Sequence, residues 1–155
     1  MNTISVDRRV DRSPAVAFEV VRDLRRYPPH SRFIEKVRRN GNGGSGTSFE
    51  LDVGWWRATA TATARVTECR PPFRLDWRLV SPAVAEGHWL VENHGQGSQL
   101  SFLAKYDAGS IEPGAISVPL GVSVSSVLAR IDDLLEAEAA RVVEGLIREI
   151  NEYDP

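Results

Sequence analysis

Any chemistry in this chain has to come from a short set of side chains. The histidines are His30, His88 and His94, the single cysteine is Cys69, and Tyr106 is the phenol that strand alternation turns inward. General acid–base catalysis needs such a group aimed at a substrate, and a nucleophile needs a base beside it. Cys69 has no evident base near it, and no G-x-S-x-G elbow is present. No His, Cys, Asp or Glu cluster has metal-ligand spacing, and no motif calls for a cofactor. The stretch GNGGSGT, Gly41 to Thr47, has the composition of a phosphate loop. Such a loop, however, needs Lys after its last glycine and a helix behind it, whereas Thr47 opens an alternating segment. The glycines therefore read as a hairpin corner, where positive φ angles are used.

The elements that must position these groups follow from periodicity. Ile4, Val6 and Val10 make residues 2–10 a strand. Ser13-Pro14 supplies a helix N-cap and first-turn proline, Ala17, Phe18, Val21 and Leu24 follow at helical spacing, and Pro28-Pro29 ends the run. A short turn or second helix is expected near His30–Phe33. From Ile34 to about Asp107 the period becomes two, giving six consecutive strands joined by short turns, which demands a curved antiparallel sheet. Residues 108–119 read as a loop. From Leu120 to Ile150 apolar residues recur at i, i+3, i+4 and i+7, the pattern of one long amphipathic helix.

At 155 residues, 42% hydrophobic and 26% charged, the chain reads as one globular domain spanning 1–155. The N-terminus lacks a signal-peptide core and no apolar run approaches the ~20 residues of a membrane helix, so a cytoplasmic protein without integral membrane association is expected. Residues 1–40 hold ten Arg/Lys against five Asp/Glu, while the remainder holds nine against sixteen. A basic segment lying along an acidic C-terminal helix accounts for this, and since aromatics are not interleaved with it, a nucleic-acid partner is not expected.

Order of elements carries a resemblance. SPAVAFEVVRDLRRYP in the first helix, GNGGSGT, RVTECRPPFRLDWRL across the fourth and fifth strands and GHWLVENHGQGSQLSF across the last hairpin resemble the helix-grip fold of the START-like superfamily. That superfamily includes Bet v 1-type allergens and polyketide cyclase/dehydrase-like proteins. The resemblance implies an α+β fold, with a curved antiparallel sheet of about seven strands around a long C-terminal helix and an internal cavity between them. It does not fix a function, because the superfamily hosts transporters, cyclases, hydrolases and binding proteins.

Alternation selects the face that would meet a ligand. Phe49, Leu51, Trp56, Trp77, Trp89, Phe102 and Tyr106 point toward the long helix, which contributes Leu128, Ile131 and Leu135. Ala58, Ala60, Ala62 and Ala64 share that face; they either let the helix pack closely or leave room for a ligand. Trp56, Trp77 and Trp89 would build an aromatic wall, or simply fill the core. The same count turns His88, Glu50, Asp52, Glu86 and Glu92 outward, and only a bulge would turn His88 in. The expected function is binding, transport or sequestration of a small hydrophobic molecule such as a lipid, polyketide or other aromatic. The loop 108–119 and the region around Tyr27–Phe33 are expected to form the cavity mouth. A cyclase/aromatase-like enzyme using Tyr106 and His88 is one alternative, and an interaction module with a filled core is the other.

Overall fold

The computed structural model describes residues 2–55 and 57–155, the side chain of Asp132 excepted. Trp56 therefore lies outside the described residues. The chain opens with β1 (Asn2–Val10) and α1 (Pro14–Val21), followed by single 3-10 turns at Leu24–Arg26 and Pro28–His30. Six strands come next: β2 (Ile34–Asn40), β3 (Ser48–Trp55), β4 (Ala58–Arg70), β5 (Arg74–Ser81), β6 (Val84–His94) and β7 (Gly97–Asp107). Short 3-10 turns at Ala108–Ser110 and Pro113–Ala115 lead into α2 (Val124–Glu152).

The seven strands form one antiparallel sheet in the order β1-β7-β6-β5-β4-β3-β2, so each hairpin pairs with its neighbour and only β1 is brought in from afar. Ser13 caps α1 by accepting from the Val16 N–H. Eight residues are too few to hold a helix unaided. Burial of Ala17, Phe18, Val20 and Val21 holds it instead, at ~25 cal/mol for each Å² of apolar surface removed from water.

Helical spacing was expected to carry α1 on to Leu24. It stops at Val21, because Asp23 turns extended and accepts from the Arg25 N–H to start a new turn. At the other end the apolar period begins at Leu120, yet α2 starts at Val124. Gly121 adopts a positive φ of 86°, Ser123 caps the helix through the Ser126 N–H, and Leu120 is left fully exposed.

The glycine-rich segment is a corner whose amides are already spoken for. The Gly43 N–H donates to Thr47 Oγ1, that of Gly44 to Asn42 Oδ1, and that of Gly46 to the Val66 carbonyl. Gly41, Gly43 and Gly46 take positive φ, which only glycine adopts freely.

The basic N-terminal half lies against the acidic helix. Arg8 pairs with Glu144, and Arg26 and His30 both pair with Glu149. Arg12 donates to the carbonyls of Ile150, Asn151 and Tyr153, which sets a cation at the negative end of α2. Among the described residues no helix is long and apolar enough to cross a membrane.

Candidate functional site

Between the sheet and α2 lies a cavity of about 420 Å³, within the ~300–1,000 Å³ of small-molecule sites. All seven strands reach it: Ile4 from β1, Ile34 from β2, Leu51 from β3, Ala60 from β4, Trp77 from β5, Trp89 from β6 and Phe102 from β7. A flat sheet of this size would be ~30 Å wide at the usual strand spacing. One small cavity can touch every strand only because the sheet curls around it. Val127, Ile131, Leu135, Ala139, Val142 and Val143 of α2 close the other side.

The inner wall is aromatic. Trp77 stacks on Phe102 with ring centroids 6.2 Å apart and planes 13° from parallel, while Trp89 tilts against the same ring at 5.1 Å. Gly87 makes room for Trp77, since a Cβ there would come within 2.7 Å of the indole and 2.0 Å of the Leu103 carbonyl oxygen.

Two polar groups on this wall are paired within the protein. The Trp89 indole N–H donates to the Tyr27 hydroxyl over 2.9 Å, and that hydroxyl donates to the Val21 carbonyl over 2.6 Å. Burial pushes the Tyr27 phenol well above its ordinary pKa, so it stays neutral. Ser31 donates to Glu138 over 2.8 Å and accepts from the Phe33 and Ile34 N–H groups. Glu138 also accepts from the Arg32 N–H, which ties the loop before β2 to the middle of α2.

Two features mark the opening. Phe33 and Trp55 meet edge to face, with centroids 6.3 Å apart, and line both the apolar cavity and a polar vestibule of about 580 Å³ beside it. Arg32, Glu35, Arg57, Glu138 and Arg141 line that vestibule. The segment between β7 and α2 lies across the cavity, where Ile116 joins the lining and Ser117 forms a two-bond bridge with Thr59 of β4.

Of the ligand contacts expected from sequence, the structure brings Leu51, Ala60, Trp77, Trp89, Phe102, Ile131 and Leu135 together around the cavity. Ala58 and Ala64 line it as well, so the alanine run makes room rather than admitting the helix. Phe49, Ala62, Tyr106 and Leu128, expected on the same wall, are not part of the described lining. Phe49 has the right parity but is consumed by the core, only 1% exposed. Ala62 and Tyr106 pack beside that core, and Leu128 is half-buried one residue past Val127, which takes the inward position.

His88 also stays outside. The register of β5 on β6 runs unbroken through Asp76 and His88, while the irregularities fall between β2 and β3 and between β4 and β5. Partial burial and the nearby Arg74 cation depress the His88 pKa. His94 ends β6 in the open, and His30 is turned away to Glu149. Among the described residues no group of three or more His, Cys, Asp or Glu could hold a metal ion.

Trp55 and Val142 belong to the lining without having been expected there. Trp55 was within reach, because the period through Phe49, Leu51 and Val53 continues to it across Gly54. Tyr27, Phe33 and Ile116 lie in the two segments expected at the mouth, the region around Tyr27–Phe33 and the loop 108–119.

The profile of the family described as polyketide cyclase / dehydrase and lipid transport matches residues 1–150. No match is found among curated proteins. Among solved structures, the Zhui aromatase/cyclase from Streptomyces sp. R1128 superposes with a TM-score of 0.73 at 16% identity, covering 97% of this chain and 93% of that one. The protein TTHA0849 from Thermus thermophilus gives 0.69 at 12% identity over 97% and 98% of the two chains. Ara h 8.0201 gives 0.67 at 12% identity over 98% and 99%. At such identities the likeness to these structures is one of fold.

Proposed function

The chain belongs to the polyketide cyclase / dehydrase and lipid transport family and has the helix-grip fold of the START/Bet v 1-like superfamily, and on that footing we propose that it binds one small, largely apolar molecule between the sheet and α2. The observation that carries this is the cavity itself: about 420 Å³, walled by Trp77, Trp89 and Phe102, with the Trp89 N–H paired to Tyr27 and the Tyr27 O–H to backbone. Such a wall rewards apolar surface and asks for no polar partner. An interaction module with a filled core is disfavoured by the same space.

Cyclase-type chemistry would need an acid or base aimed at the substrate. Tyr106 and His88, the groups named for that role, are not part of the described lining, so binding with transport or sequestration is the stronger reading.

Native mass spectrometry of freshly purified protein, compared with its denatured mass, tests it. A defined extra mass lost on denaturation supports the cavity. Replacement of Trp77 or Trp89 by alanine should then weaken binding of an added apolar probe far more than Thr61→Ala on the outer face, and equal effects from all three would sink the proposal.

A further inference from the structure

The apolar cavity and the vestibule share Phe33, Gly54, Trp55, Ala58, Thr59 and Glu138, so the two spaces adjoin along these residues. We propose that the ligand is an amphipath bound tail-first, its anionic head group, a carboxylate or phosphate, held in the vestibule by Arg32 and Arg141 with Arg57 beside them. This rests on the cavity reading above and adds to it the head group and the direction of binding.

Orientation follows from where hydrogen bonds remain on offer. Inside, the Tyr27 hydroxyl and the Trp89 N–H are engaged with each other and with Val21. At the sill the Ser31 hydroxyl and one oxygen of Glu138 are committed to each other and to the backbone N–H groups of Arg32, Phe33 and Ile34. A polar head placed inside would lose its water and gain nothing. The vestibule is different. It carries guanidinium groups, whose forked donors suit the planar oxygens of a carboxylate or the oxygens of a phosphate.

Charge selects the sign of the head. The vestibule sets Arg32, Arg57 and Arg141 against Glu35 and Glu138, an excess of one positive charge. Glu138 Oε2 stands 3.9 Å from Arg141 Nε, so its charge is part of that balance and the excess is a single positive charge. Arg32 is exposed, and Arg141 is 48% exposed, so their attraction for an anion is real but screened by salt.

Calorimetry at low salt with four monomeric probes sharing one tail, dodecanoate, dodecyl phosphate, dodecanol and dodecyltrimethylammonium, tests the inference. At least one anion should bind about tenfold tighter than dodecanol, and the cation should bind weakest. The tighter of the two anions identifies the head as carboxylate or phosphate. In the double variant Arg32→Gln/Arg141→Gln the anions should fall to the affinity of dodecanol while dodecanol is unchanged, and added salt should do the same to the native protein. Dodecanol binding as tightly as the tighter anion would overturn the head-group assignment and leave the cavity reading standing, as would a double variant that weakens dodecanol equally. Failure of all four probes to bind would remove both.

Discussion

The indole N–H of Trp89 donates to the hydroxyl of Tyr27, which in turn donates to the carbonyl of Val21 at the end of α1. α1 and the 3-10 turns after it are thereby held to β6, distant in sequence, at the buried wall of the cavity. Tyr27→Phe leaves both Trp89 Nε1 and the Val21 carbonyl without their partner, which should cost ~1–3 kcal/mol of stability. The loss would be read as a shifted midpoint in urea unfolding. The affinity for an apolar probe should change little, because the cavity keeps its shape.

Alkaline pH should expose the same phenol. Its folded pKa is raised by burial, so its contribution is complete below the ordinary value of 10.0 and is lost as pH rises through that value toward the folded one. Stability should therefore decline from about pH 10 upward, and Tyr27→Phe should flatten that decline. An equally steep decline in the variant would show that other groups cause it.

Ala60 is where the cavity could be filled. It lines the space from β4, opposite Val53 of β3, and no larger side chain competes for its place. Ala60→Phe should reduce the affinity for an apolar probe by about tenfold or more, with the melting temperature unchanged or raised. The usual penalty of overpacking does not apply where the volume is empty. A lowered melting temperature with binding intact would mean that the strand faces a packed core.

The sheet and α2 were legible because their periods are long and clean. Phe49 to Val53 and Ala58 to Ala64 alternate without interruption, and Val127 to Ile150 keeps a helical stripe. Parity, however, says only which face a residue takes and not how far along the strand the cavity extends. Phe49 and Tyr106 have inward parity and still pack into the core beyond it. The mouth was legible as two segments, the region around Tyr27–Phe33 and the loop 108–119, but its individual side chains were hidden, because tertiary contacts alone decide where Tyr27, Arg32, Phe33 and Ile116 point. Glu138 was hidden too, since a carboxylate on an amphipathic helix reads as solvated until Ser31 and the Arg32 N–H are found against it.

Gly145 and His30 show the same limit and allow a sharper test. A glycine in the middle of α2 looks like a weakness, about 1 kcal/mol poorer than alanine. Here a Cβ at Gly145 would lie 2.3 Å from the His30 ring, which packs on the bare backbone and bonds to Glu149 over 2.5 Å. Gly145→Ala should therefore destabilise by ~1–3 kcal/mol, through displacement of the ring and of the turn at Pro28–His30. Placed in a His30→Ala background, the same change should be neutral or stabilising by up to ~1 kcal/mol, because only the helix preference remains. The double-mutant cycle measures the coupling directly. Equal effects of Gly145→Ala in both backgrounds would mean that His30 does not set the need for glycine.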